Sequence, residues 1–195
     1  DQAAYLSPAS YDEKPGTKNT IKRKTEIRKL VSTLFSIVIP PSDHRYIQHQ
    51  WDKHGNVPLW VAVKALTLGN VSKMYSLCKA SVQSDVAKEF PGVSSEDLVG
   101  MLDMLTRVRN VCAHNERLYD FSVIDKRVLF RSVPNFPVHA ALGISKSKAG
   151  LYKQGKTDLF AALICLKYLL DAEDFVHMCS NIASAISKLC SETKK

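Results

Sequence analysis

The sequence predicts an all-α fold, on three observations. Only 8 glycines and 8 prolines occur in 195 residues, fewer than the roughly 12% that globular chains usually carry. Apolar residues recur at helical spacing through several long stretches. The prolines and glycines fall mostly between those stretches. Hydrophobic residues make up 45% and charged residues 24%, enough to bury a core and too apolar for disorder over most of the chain. The length suits one domain, two at most. Residues 1–18, with Pro8, Pro15 and Gly16, read as a flexible polar tail, and residues 19–195 as a single helical domain.

The first helix is expected from Thr20 to Ile39. Ile27, Leu30, Val31, Leu34, Phe35 and Val38 mark its apolar face, and Pro40-Pro41 ends it. Residues 42–56 are polar and hold His44, His49 and His54, three of the six histidines. Together with Tyr46 and Trp51 they suit a stacking groove for nucleic acid, and equally an ordinary surface segment. Pro58 opens the next helix, and Gly69 is expected to break it. Trp60 reads as core. A short helix follows from about Ser72 to Ala80. Ser94 and Asp97 stand at capping-box spacing, with Asp in place of the usual Glu or Gln. The helix they start is expected to run through LVGMLDMLTRVRNVCAHNERLY. Residues 122–157 read as an irregular basic excursion, with Val128-Leu129-Phe130 as a short strand. Leu159 to Leu170 is apolar nearly all round and predicts a central buried helix. Phe175 to Leu189 is a last amphipathic helix.

Several functions are excluded or disfavoured. The longest apolar stretch is 12 residues with Lys167 inside it, whereas a membrane span needs about 20. No membrane association is therefore expected. The chain opens without a basic and apolar leader pattern. Its 5 cysteines form no CxxC pair and sit mostly among apolar residues, as reduced core thiols of a cytoplasmic protein would. Cys112 and His114 lack a second ligand pair, so no metal is expected. The phosphate-binding glycine loops are missing, and no cofactor is expected.

The net charge is +8, and it is unevenly spread. Residues 1–33 carry 7 Lys/Arg against 4 Asp/Glu, and residues 122–156 carry 7 against Asp125 alone. Local excess is what a polyanion footprint requires; a solvated loop predicts the same composition.

On a helical wheel of about 100° per residue, Arg109, Ala113, Arg117, Asn110, His114 and Arg107 share one side. Leu105, Val108, Cys112, Val111, Leu118 and Met104 take the other. Asn110, His114 and Arg117 are spaced as direct neighbours. The inventory suits phosphodiester chemistry. Histidine exchanges protons near neutral pH, arginine clamps phosphate oxygens, and asparagine orients the imidazole or the sugar. RNA cleavage needs a base for the 2′-hydroxyl, an acid for the leaving oxygen and positive charge for the pentavalent state. One helix supplies one histidine, and a second copy across a two-fold axis would supply the other. The wet side of any amphipathic helix predicts a similar strip.

The stretch RVRNVCAHNERLYD, Arg107–Asp120, resembles the signature of AbiD/AbiF-type abortive-infection proteins, a branch of the HEPN superfamily. HGNVPLWVAVKALTLGNVSKMYSLC, His54–Cys78, resembles that family's second block, and DLFAALICLKYLL matches its late apolar helix. Lys64 stands where the family often has Glu, and Tyr119-Asp120 where Trp-Asn is common. The resemblance implies a HEPN-like helical bundle that dimerises and joins two Arg-x4-His motifs in one cleft. It implies a metal-independent endoribonuclease toxin of phage defence or a toxin–antitoxin system, leaving 2′,3′-cyclic phosphate ends, with an RNA or protein antitoxin as partner. Carried over, Arg109, Asn110 and His114 are the catalytic positions. Arg107 and Arg117 would hold the RNA backbone, with Lys126, Arg127, Arg131, Lys146 and Lys148 of the basic excursion. The alternative is a non-catalytic RNA-binding module of the same fold that holds a small structured RNA.

Overall fold

Thr20–Val38 forms α1, as its spacing predicts. Ile27, Leu30, Val31, Leu34 and Val38 are buried along one face, and the helix stops two residues before Pro40. The computed structural model describes residues 3–123 and 133–192, and among them the protein is all-α. No strand is formed, only isolated bridges. The expected strand at Val128-Leu129-Phe130 lies outside the described residues.

The chain divides into two compact units. The first comprises residues 1–89 and 94–106. After α1 come α2 (Arg45–His54), α3 (Leu59–Ala62), α4 (Leu68–Leu77) and α5 (Ala80–Ala87). Helix α6 (Ser95–Ala113) contributes its first residues here. Its start is the reciprocal cap expected from sequence: the Asp97 amide donates to Ser94 Oγ at 3.1 Å, and the Ser94 amide to Asp97 Oδ2 at 3.4 Å. One apolar cluster joins α1 to Ile47, Val57, Val61, Ala62 and Leu77.

Residues 3–18 correct the reading of this segment as a tail. Tyr5 and Tyr11 are buried in the same cluster. The Tyr5 hydroxyl donates to the Val57 carbonyl at 2.8 Å and the Tyr11 hydroxyl to the Tyr5 carbonyl at 2.7 Å. The Asp12 amide donates to the Leu77 carbonyl at 2.9 Å. Two large rings outweigh the polarity of the residues around them, since each buries its ring while its hydroxyl finds an acceptor.

Other local expectations also shift. Gly69 does not break a helix. It sits inside the first turn of α4, whose cap is Thr67 accepting from the Asn70 amide at 3.2 Å. The interruption falls earlier, between α3 and Thr67. Residues 45–54 are helical, closed by Gly55 in the left-handed region at φ 67°. Trp60 is 65% exposed rather than core, with the Lys64 ammonium 5.7 Å from its ring centroid.

The second unit comprises residues 90–93 and 107–195. It holds the end of α6, the short α7 (Pro137–Ala141), α8 (Leu159–Leu169) and α9 (Ala172–Glu192). Ala161, Ala162, Ile164 and Cys165 bury one side of α8; its remaining residues keep more contact with solvent, so burial all round is not reached. The Asp158 carboxylate caps it, accepting from the Ala161 amide at 3.0 Å and from the Gly155 amide. His139, fully buried, is the polar centre of this unit. Its Nε2 donates to the Gly155 carbonyl at 3.0 Å, and its Nδ1 lies 3.1 Å from both the amide nitrogen and the carbonyl oxygen of Phe136. The imidazole stacks on Tyr152, centroids 4.8 Å apart, and Phe136 stacks on Tyr168 at 4.3 Å.

No residue of α9 is buried. The thiols of Cys112, Cys179 and Cys190 are exposed and that of Cys165 buried, so only part of the cysteine set behaves as core.

Candidate functional site

The site is built on the last turns of α6. Met101 and Met104 are fully buried upstream, and Leu105, Val108 and Val111 are half-buried. They fix the roll of the helix and turn Arg109, Asn110, Ala113 and His114 outward, all exposed. Arg107 is half-buried. The Arg109 Nη1 donates to Asn110 Oδ1 at 3.2 Å, which joins a cation and an amide into one polar edge. The wheel misplaces one residue: Cys112, expected on the buried side, is exposed.

The helix ends earlier than its sequence pattern suggests. The His114 amide still donates to the Asn110 carbonyl at 2.9 Å. Asn115 then turns left-handed at φ 55°. Its amide donates to the Cys112 carbonyl at 3.3 Å, and the Glu116 amide to the Val111 carbonyl at 3.0 Å. That pair of bonds is a Schellman closure with asparagine in the position glycine usually holds. His114 is therefore the C-cap residue, held by backbone on both sides. Arg117 lies beyond the closure, so the expected helical neighbourhood of Asn110, His114 and Arg117 does not extend to Arg117. It is exposed in the segment that follows. That segment is tethered: the Phe121 amide donates to the Leu118 carbonyl at 3.1 Å, and the Val123 amide to the Thr157 carbonyl at 2.7 Å.

Arg109, Asn110 and His114 thus share one exposed turn, and Arg117 follows within three residues of His114. Of the basic excursion, Lys146 and Lys148 are exposed. The Lys146 ammonium stands 4.8 Å from the Tyr152 ring centroid, an arrangement that holds a cation at the surface through the ring's negative face. Lys126, Arg127 and Arg131 lie outside the described residues. His44, His49 and His54 belong to the other unit, on or beside α2, and Trp51 there packs against the apolar cluster instead of lining an open groove. Among the described residues no group of three or more His, Cys, Asp or Glu comes together to hold a metal ion, and no helix is long and apolar enough to cross a membrane.

The turn can do a limited set of things. It presents an imidazole, a guanidinium and an amide within about one and a half helical turns, all exposed. Among the described residues nothing encloses these three side chains, so the turn is open to a large ligand.

The profile of the Abi-like protein family matches residues 1–120. No curated protein and no solved structure matches the chain. The matched span takes in the whole first unit and runs through the polar turn to Asp120, well over half of the 195 residues. On that match, the chain belongs to the Abi-like protein family.

Proposed function

We propose that this protein is a metal-independent endoribonuclease toxin of the HEPN type, acting in abortive infection or a toxin–antitoxin system. Its active site would be completed by two copies of the Arg109-x4-His114 turn in a homodimer. The observation that carries the reading is the exposed turn of α6 itself, where Arg109, Asn110 and His114 stand together on a backbone fixed by the Schellman closure. Membership of the Abi-like family supports the defence role.

In this mechanism one His114 imidazole takes the proton of a ribose 2′-hydroxyl. The freed oxygen attacks the adjacent phosphorus. The bond from phosphorus to the 5′-oxygen breaks, and the imidazolium of the other copy gives that oxygen its proton. The products are a 2′,3′-cyclic phosphate and a 5′-hydroxyl. Arg109 neutralises the phosphoryl oxygens as charge builds in the pentavalent state. Asn110 orients the guanidinium that already donates to it. Arg107, Arg117, Lys146 and Lys148 hold flanking phosphates, together with Lys126, Arg127 and Arg131, and the chain needs no cofactor. An RNA or protein antitoxin would act by covering this turn.

The test is RNA cleavage in EDTA by the parent, Arg109→Ala and His114→Ala. Loss of general acid–base catalysis should slow His114→Ala about 10²- to 10⁴-fold, with its fold and RNA affinity kept, because His114 is exposed. Cleavage by His114→Ala at the parental rate would refute the mechanism. Salt-sensitive RNA binding without cleavage by the parent would select the non-catalytic RNA-binding reading instead.

A further inference from the structure

The chain that leaves the polar turn of α6 runs directly into a cleft of about 580 Å³, a volume in the usual range for ligand sites. All of its lining belongs to the second unit. Leu142, Ile144, Leu159 and Phe160 give it an apolar surface, and Tyr119 and Phe121 add two more rings. Tyr119 is 79% exposed, an unusual position for a large aromatic unless something covers it.

The polar groups of the cleft are few and specific. Asp158 lines it, but its oxygens already accept the Gly155 and Ala161 amides. Asp120 is exposed and makes no ion pair or side-chain hydrogen bond among the described residues. Gln154 supplies one amide, a donor and an acceptor together. Among the described residues no lysine or arginine lines the cleft. Two carboxylates without a cation repel phosphate, while flat rings and an acceptor-only carboxylate suit a flat, donor-bearing ligand.

We infer that this cleft binds one base of the RNA strand, with guanine as the best match, and so sets the sequence preference of the site. The inference rests on the RNA reading above. The base stacks on Tyr119 or Phe121. Its edge presents two adjacent N–H donors to the two oxygens of Asp120, and Gln154 answers the remaining polar edge. Geometry links cleft and turn: Tyr119 is two residues from Arg117, and two extended residues span at most about 7 Å. A phosphate on Arg117 therefore lies close along the strand to a base in the cleft.

The experiment measures binding of the full chain, in EDTA, to 2′-O-methyl oligonucleotides that cannot be cleaved. Each carries guanine, inosine, cytosine, adenine or uracil at one position in an otherwise fixed strand. The parent should favour guanine over inosine, which lacks one of the two donors. Asp120→Asn should erase that difference while leaving mean affinity near the parental value. Tyr119→Ala should weaken binding about tenfold whatever the base, the usual scale for one lost stack. Both positions are exposed, so neither variant threatens the fold. RNA binding with no base preference, or an unchanged preference in Asp120→Asn, overturns the cleft assignment and leaves the RNA reading standing. If the parent binds none of the oligonucleotides, the RNA reading fails, and the cleft is judged by NMR titration with free guanosine. Guanosine-induced shifts of the Tyr119–Phe121 amides support base recognition. Their absence overturns it, as do shifts caused by trimethyllysine alone, which would mark an aromatic cage for a cation.

Discussion

Gly155 and Gly150 form a matched pair, and alanine at each separates backbone strain from crowding. Both are left-handed, at φ 77° and φ 76°. A Cβ at Gly150 meets nothing within 4 Å. A Cβ at Gly155 would stand 2.6 Å from Ile164 Cδ1 and 3.0 Å from His139 Nε2. Neither neighbour gives way freely. Ile164 is 2% exposed, and the His139 ring is held at both nitrogens. Alanine in the left-handed region costs about 1–2 kcal/mol, the whole expected loss for Gly150→Ala. Overpacking adds about 1–3 kcal/mol, so Gly155→Ala should lose about 2–5 kcal/mol. At roughly 2–4 °C per kcal/mol for a chain of this size, its melting point falls distinctly below that of Gly150→Ala. Urea unfolding followed by circular dichroism is the assay, because Trp51 and Trp60 both belong to the first unit and tryptophan emission reports on that unit. Equal losses for the two variants, within about 0.5 kcal/mol, would refute the argument that His139 and Ile164 close tightly over Gly155.

Burial sets two further outcomes, and the cap of α6 sets a third. Burial pushes the Tyr5 hydroxyl up to about 12 and raises Tyr11 as well. The unfolded chain sheds these protons first, so the stability they contribute is complete below pH 10 and falls as pH rises through 10 to 12. Circular dichroism during an alkaline titration should show that loss, and Tyr5→Phe should blunt it; an unchanged profile would count against the burial. Burial likewise pushes the Cys165 thiol up to about 12. A thiol reagent should therefore label Cys112 and Cys179 in the native protein and Cys165 only after unfolding, as peptide mapping would show. Ser94→Ala removes the N-cap acceptor of α6 and should cost about 0.5–2 kcal/mol, measured by urea unfolding.

What was legible without the structure had local causes. The spacing of Ile27, Leu30, Val31, Leu34 and Val38, with Pro40 beyond, placed α1. Ser94 and Asp97 placed the start of α6, and the apolar run after Asp158 placed α8. The polar strip of Arg109, Asn110 and His114 followed from the wheel, because buried Met101 and Met104 leave the helix no other roll. The end of α6 was present in Asn115, one of the few residues that tolerate the left-handed region. The helical pattern continued through Leu118 and hid it. The same extrapolation placed Cys112 on a buried face that this last turn does not have.

The amino-acid sequence by itself determined the helical class, the main boundaries and the polar residues of the turn, since these depend on neighbours within about four positions. The tertiary structure decided what depends on distant partners. Tyr5 and Tyr11 lie in a polar stretch, and only the Val57 carbonyl and the α1 cluster bring them inside. Trp60 looks like core by composition and stays outside, because Val61 and Ala62 take the inward places beside it. His139 became the centre of the second unit through Gly155, 16 residues away. The cleft beside Arg117 exists because the chain brings Tyr119–Phe121 to one opening with Leu142, Gln154 and Phe160. No spacing rule reaches across such separations, and the contacts that close it form only when the chain has packed.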